Sequence, residues 1–338
     1  MLNNKKILVC NCAGLGDAIM FTPTLRKIKQ QYPKCTISFI TKPVNRDSLA
    51  GLPYIDHVYT LERKNILDKL KIIPKLIQQD YVIFTDWQPQ LATIAYWLKV
   101  PHISGITRPN HRSEKLFERH IKEWVLSTAK YAADVVNDGI SLALGIDIKA
   151  NTEELDVALP GSADVSIVDT LLNLVGINQG DAYICIAPFT GALERNWSIA
   201  YVKELIELNN KNYGIPIVIV GGPKDYPDSA SLDKGNLVGK TTLLQMIEII
   251  KRAKLFIGPD SGPVHIAAAV KTPSIALFSK DIPSRWAPKK NCKVISLNLL
   301  CSPCGDEVAR KCPTLQCNRG ITSDIVFQAV KEELYSIK

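Results

Sequence analysis

Residues 254–278 read KLFIGPDSGPVHIAAAVKTPSIALF, and the order of residue types in that stretch decides the fold. The apolar run Leu255-Phe256-Ile257 predicts a buried strand. Gly258-Pro259 ends it, and Gly262-Pro263 opens a helix carrying His265 and Ala267 to Ala269. Proline at the first helical position costs nothing, because that amide has no partner inside the helix. The other free N–H groups and the helix dipole form an anion site that would fit a diphosphate. Ser261 and Gly262 let the backbone approach a ligand, and the three alanines let the helix lie close to a sheet. Lys271-Thr272-Pro273 closes the helix, and Ser274 to Phe278 supplies the next strand. The same pattern also suits an ordinary strand-loop-helix turn with a polar loop.

Working outward, the N-terminal end shows the same grammar. Lys6 to Cys10 predicts a short buried strand, followed by the loop Asn11-Cys12-Ala13-Gly14-Leu15-Gly16-Asp17. Two glycines two apart permit close backbone approach, as in nucleotide-binding loops. The third glycine of a dinucleotide fingerprint is missing, which disfavours a nicotinamide cofactor. Helix signals resume at Thr22-Pro23 and run to Tyr32-Pro33. Asp17 at the mouth of this unit reads either as a cap or turn residue or as a general base.

Strands are expected at Thr36 to Thr41, His57 to Leu61, Tyr81 to Thr85 and Pro101 to Ile106. Helices are expected at Ile66 to Gln79, with a kink at Pro74, and at Leu91 to Leu98, then over Ala129 to Leu144. This alternation is that of a parallel sheet with helices on both faces. The polar segment Asp147 to Ala163 contains Pro160-Gly161 and marks a boundary, giving domains over 1–158 and 159–322. Strand and helix alternate again beyond it. Ala182 to Ala187 leads into the loop Pro188 to Asn196 with Arg195, and Ile215 to Val220 ends in Gly221-Gly222-Pro223-Lys224-Asp225. A guanidinium at a strand's carboxyl end is well placed for phosphate, although Arg195 beside Glu194 also suits a surface ion pair.

The chain has 338 residues, 46% of them apolar and 22% charged, enough for two globular domains. No apolar run reaches the ~18 residues that span a bilayer, and the N-terminus lacks a secretory pattern, so a cytoplasmic protein is expected. A net charge of +8 points to an anionic partner. No zinc-finger pair, aromatic RNA-binding strand or long basic tract is present, which argues against nucleic acid. The charged run from Arg108 to Lys122 reads as a solvated face or as a docking surface for a phosphate-bearing acceptor.

Gly14-Leu15-Gly16-Asp17 with Thr22-Pro23 and Leu25, then Asp260-Ser261-Gly262 with His265 and Ala267 to Ala269, then Phe278, Pro283, Trp286 and Pro288, resemble glycosyltransferase family 9, the heptosyltransferases. The resemblance covers nearly the whole chain. It implies a GT-B fold: two Rossmann-like doubly wound α/β domains facing across a cleft, the first binding the acceptor and the second the nucleotide-sugar. It implies that the last helix, 323–338, packs back on the first domain. It further implies inverting, metal-independent transfer of heptose from ADP-heptose to an anionic glycolipid, the lipopolysaccharide inner core, at the membrane surface. By the same resemblance Asp17 is the catalytic base. Arg195, Asp260, Ser261, Gly262, His265, Gly16 and Asp225 are donor-binding, and Arg63, Lys64, Arg108 and Arg112 are candidates for the acceptor.

The chemistry is coherent: a carboxylate can take the proton of an attacking hydroxyl, while helix N–H groups and a guanidinium stabilise a departing diphosphate. The chain contains no Asp-x-Asp pair. Where the family often has Gly and then Thr-x-Pro after Phe278, this chain has Ser279-Lys280-Asp281-Ile282-Pro283, which bears on the sugar or base. A UDP-hexose or UDP-N-acetylhexosamine donor, or a protein acceptor, is the near alternative. A GT-B nucleotide-sugar epimerase and a non-catalytic binding module are the distant ones. The epimerase needs further acid/base groups in the second domain, where His265 is the obvious one.

Cys301, Cys304, Cys312 and Cys317 form a C-x2-C, x7, C-x4-C pattern, which suits a structural metal, a redox-dependent staple or unligated loop thiols. No cofactor is expected for catalysis.

Overall fold

The computed structural model describes residues 2–62, 65–106, 115–117, 119–120, 130–232 and 234–336. The chain divides into two compact units, 1–158 and 159–338. The first is built on six parallel strands, β1 (Lys6–Cys10), β2 (Thr36–Thr41), β3 (His57–Thr60), β4 (Tyr81–Phe84), β5 (His102–Gly105) and β6 (Arg119–His120), in the order β3-β2-β1-β4-β5-β6. Ile7 of β1 lies opposite Ile37 of β2 on one side and Tyr81 of β4 on the other.

This strand order needs helices on both faces, and the sequence of β1 supplies both cores. Ile7 and Val9 pack with Leu25 and Ile28 of the helix Thr22–Gln31 and with Val136 and Ile140 of the helix Ala132–Leu144. Leu8 and Cys10 face the other way, among Ile72 and Leu76 of the helix Ile66–Ile77 and Leu91 and Ala95 of the helix Pro89–Trp97. A strand buried on both faces reads as an unbroken apolar run, which is why β1 is legible in the sequence. Each fully buried Leu or Ile contributes about 1.5–3 kcal/mol.

The second unit carries β7 (Ile184–Ile186), β8 (Ile217–Ile219), β9 (Leu255–Pro259), β10 (Ser274–Phe278) and β11 (Cys292–Ser296), in the order β11-β10-β9-β7-β8. A parallel bridge between Ile219 and Asn236 extends the sheet beyond β8. The Ile219 N–H donates to the Gly235 carbonyl, and the Ile219 carbonyl accepts from the Leu237 N–H. Counting that bridge as a vestigial third strand, both units have the doubly wound order 3-2-1-4-5-6. Gly235 sits at φ +74, and a Cβ there would lie 1.9 Å from the Ile217 carbonyl oxygen, so only glycine fits the bridge.

Several boundaries differ from expectation. Strand β9 runs through Gly258 and Pro259 instead of stopping before them. Gly16 and Asp17 lie inside a short helix, Leu15–Ile19, instead of a loop, because the chain turns helical as soon as Gly14 caps it. The last helix, Ser323–Ser336, lays its apolar stripe of Val326, Ala329, Val330 and Leu334 in the second unit's core, with Val202 and Leu205 of the helix Ile199–Asn212. Among the described residues no helix is long and apolar enough to cross a membrane.

Candidate active site

In an open doubly wound sheet, ligands bind outside the strands' carboxyl ends, where the strand order reverses. In the first unit that point lies between β1 and β4. The loop after β1 is fixed there by buried polar groups. The Asn11 amide donates to Thr85 Oγ1 at 3.1 Å, and Asp86 Oδ2 accepts from the Cys12 N–H at 3.0 Å and from Gln88 Nε2 at 3.1 Å. Asn45 Nδ2 donates to the Ala13 carbonyl, at 3.2 Å. The loop therefore enters the helix Leu15–Ile19 at a set angle, with Asp17 half-buried in its first turn. Asp17 Oδ2 accepts from the Gly14 N–H at 2.9 Å. Gly16 is buried in the same helix.

In the second unit the reversal lies between β7 and β9. After β9 comes Asp260, whose N–H donates to the Leu277 carbonyl at 3.1 Å. Ser261 then caps the helix Gly262–Ala269, its hydroxyl donating to the Pro259 carbonyl at 3.0 Å. From the loop after β7, Arg195 Nη1 comes within 3.4 Å of Asp260 Oδ2 and within 3.4 Å of Asp281 Oδ2. The Arg195 Nε is buried without a hydrogen-bond partner. Asp260 is 7% exposed. Burial, then the nearby Asp281 charge, raises its carboxyl to about 7 against the opposing pull of Arg195 and Lys280.

Lys280 and Asp281 follow β10 and complete the cluster. The Lys280 ammonium, on a side chain only 2% exposed, donates to Asp281 Oδ2 at 2.9 Å and to Asp306. Burial alone would lower the lysine pKa, but the two carboxylates outweigh it and the net shift is upward. Asp306 is held below its usual range, chiefly by the bond from Lys280.

Of the expected donor residues, the structure thus brings Arg195, Asp260, Ser261 and Gly262 together. His265 lies on the same helix but is 3% exposed, and burial pushes it down to about 4. It is a neutral imidazole whose Nδ1 lacks a hydrogen-bond partner. Asp225 lies apart from these residues in sequence, after β8, where its Oδ2 accepts from the Gly222 N–H at 2.8 Å. Burial raises its carboxyl, and the Gly222 N–H works against the rise. Arg63, Lys64, Arg108 and Arg112 lie outside the described residues.

The four cysteines of the 301–317 segment are free thiols. Burial raises Cys317, and the neighbouring Cys304, Cys301 and Cys312 raise it further. Cys312 Sγ is engaged locally, accepting from the Leu315 N–H at 3.4 Å. Among the described residues no three His, Cys, Asp or Glu side chains are grouped to hold a metal ion.

Asp86 escapes the sequence reading, and Lys280 and Asp281 enter it only as a departure from the family pattern, without roles. Each stands within three residues of a strand's carboxyl end, but none lies in a glycine-bearing loop.

Comparison with known proteins gives this geometry a context. Residues 71–315 match the family model for glycosyltransferase family 9 (heptosyltransferase). The chain is 31% identical over 344 residues to lipooligosaccharide heptosyltransferase 2 of Campylobacter jejuni, covering 97% of this chain and 98% of the relative. It is 25% identical over 295 residues to lipopolysaccharide heptosyltransferase 3 of Escherichia coli, covering 82% and 84%. The solved structure of E. coli ADP-heptose lps heptosyltransferase II superposes with a TM-score of 0.73 at 22% identity, over 98% of each chain, so the fold is the two-domain α/β GT-B fold.

Proposed function

The chain belongs to glycosyltransferase family 9 and is a glycosyltransferase, and from that premise we propose that it moves heptose from ADP-heptose to a lipopolysaccharide inner-core acceptor, with inversion and without a metal ion. The observation that carries this reading is the Arg195 guanidinium beside Asp260, one residue before the cap of the helix Gly262–Ala269. A guanidinium and a helix N-terminus together suit a diphosphate, and both gain strength as the leaving group becomes more negative. The relatives named as lipopolysaccharide and lipooligosaccharide heptosyltransferases support the sugar and the acceptor.

In this mechanism Asp17 accepts the proton of the acceptor hydroxyl as that oxygen attacks the anomeric carbon. The bond to the diphosphate breaks on the opposite face, and the anomeric centre inverts. Ser261 and Gly262 present the helix terminus, Arg195 neutralises the departing ADP, and Gly16 allows close approach beside Asp17. Asp225 and His265 complete the donor residues, His265 as a buried neutral wall. Arg63, Lys64, Arg108 and Arg112 provide cations for the anionic acceptor, which presents itself at a membrane surface.

The departure Ser279-Lys280-Asp281 favours a second reading, transfer of a hexose or N-acetylhexosamine from UDP by the same machinery. Incubating the protein with an inner-core acceptor and either ADP-heptose or the UDP-sugars, with and without EDTA, separates the readings. Glycosylated acceptor of inverted configuration is expected from ADP-heptose in both conditions. Product from UDP-sugars alone overturns the heptose assignment, and loss of product in EDTA overturns metal independence.

A further inference from the structure

We propose that Lys280 is a positioning residue for the sugar-nucleotide site, holding Asp281 back so that the Arg195 guanidinium remains available to a diphosphate. The inference rests on the reading of Arg195 as the phosphate-binding cation.

A lysine that is 2% exposed is rare unless its charge is matched. Here the ammonium is matched twice, by Asp281 and by Asp306. The backbone of the same residue is also fixed. Its carbonyl accepts from the N–H groups of Cys304, at 3.0 Å, and Gly305, at 3.3 Å, and the preceding carbonyl of Ser279 accepts from the Ser302 hydroxyl. Lys280 is thereby fastened at both ends to the segment 302–306.

What this fixture controls is Asp281. Its Oδ2 receives the Lys280 ammonium at 2.9 Å and stands 3.4 Å from Arg195 Nη1. A charge-assisted bond normally closes to about 2.7–2.9 Å. The lysine contact is therefore full length and the arginine contact slack. Asp260 is equally slack, at 3.4 Å. A guanidinium held loosely between two acids, with its Nε unpartnered, is oriented without being neutralised. Removing the lysine would leave Asp281 with Arg195 as its remaining cation among the described residues. Its carboxylate would then tighten onto the guanidinium and compete with an incoming phosphate, since a carboxylate that loses its partner in a low-dielectric site seeks another.

The test is ADP affinity, by calorimetric titration, of wild type, Lys280→Met, Asp281→Asn and the double variant, with melting temperatures in parallel. Lys280→Met should weaken ADP about tenfold, the equivalent of one charge-assisted contact. Asp281→Asn should bind at least as tightly as wild type. The double variant should return to within about threefold of wild type, because removing both members of a buried pair leaves no stranded charge. Wild-type affinity in Lys280→Met overturns the proposal. A double variant as weak as Lys280→Met also overturns it, since the lysine would then act on the phosphate or the loop and not through Asp281. If Lys280→Met does not fold, the double variant against Asp281→Asn decides: equal affinity supports the proposal and weaker binding overturns it. Wild type is first titrated with ADP, UDP and GDP, and the tightest becomes the probe. Failure to bind any of them overturns the reading of Arg195, and this proposal with it.

Discussion

The carboxylate of Asp17 accepts a 2.9 Å hydrogen bond from the backbone N–H of Gly14, three residues earlier at the cap of the same short helix. One oxygen thus fixes the side chain's direction. In a base this arrangement keeps the proton-accepting group aimed before substrate arrives. Asp17→Asn keeps the size of the side chain and removes its basicity. It should lower turnover by at least ~100-fold, the usual size of a lost general base, and leave ADP affinity within about twofold. Initial-rate and binding measurements on the same preparation check this.

Gly14 makes a second test that does not touch the carboxylate's chemistry. A Cβ there would lie 2.9 Å from Asp17 Oδ2, so Gly14→Ala must push the carboxylate aside. The φ of −74 at Gly14 suits alanine, so the backbone need not change. Turnover should fall about tenfold or more with little change in melting temperature, because small misplacements of a reacting group are costly.

Arg195→Ala should weaken ADP by about 10- to 100-fold, as for a lost charged contact to phosphate. It also removes the cation standing between Asp260 and Asp281. Rebinding of ADP on lowering the pH would reveal their repulsion, since protonating Asp260 relieves it.

Asp260 and His265 give the second unit opposing pH dependences. Asp260 rises from 3.8 to about 7 on folding, so between those values the folded state binds more protons and stability falls as pH rises. His265 falls from 6.5 to about 4, so between those values the unfolded state binds more protons and stability rises with pH. The two slopes oppose one another over about pH 4–6.5. Melting temperature against pH should therefore slope more steeply upward in Asp260→Asn and more steeply downward in His265→Gln than in wild type.

The terminal helix supplies a stability test. Val330 is fully buried in the second unit's core. Val330→Ala should cost about 2 kcal/mol and lower the melting temperature by about 5 °C, checked by thermal denaturation.

How much of this was legible varies with the physics of each element. Strands β1 and β9 are apolar on both faces, so an unbroken run announced them. The third strand of the second sheet was invisible, because it is one bridge at Asn236 held by the φ of Gly235, with no apolar run at all. The last helix declared its apolar stripe but not its partner, since amphipathicity says that a face is buried and not against what. In the candidate site, Asp17 and Arg195 are singled out by their loops and Asp260 by the family resemblance. Lys280 enters the sequence reading only as a departure from the family pattern, because only the fold brings Asp281 and Asp306 to its ammonium.

The measurement that tests the central claim most directly is the melting temperature of the purified protein with saturating ADP, UDP, GDP and NAD. A ligand at 100 times its dissociation constant stabilises by about 2.7 kcal/mol. The account expects ADP to raise the melting temperature above the other three, and Arg195→Ala to cut the rise by about half or more. A response to NAD alone, or an ADP response unaffected by Arg195→Ala, would contradict it.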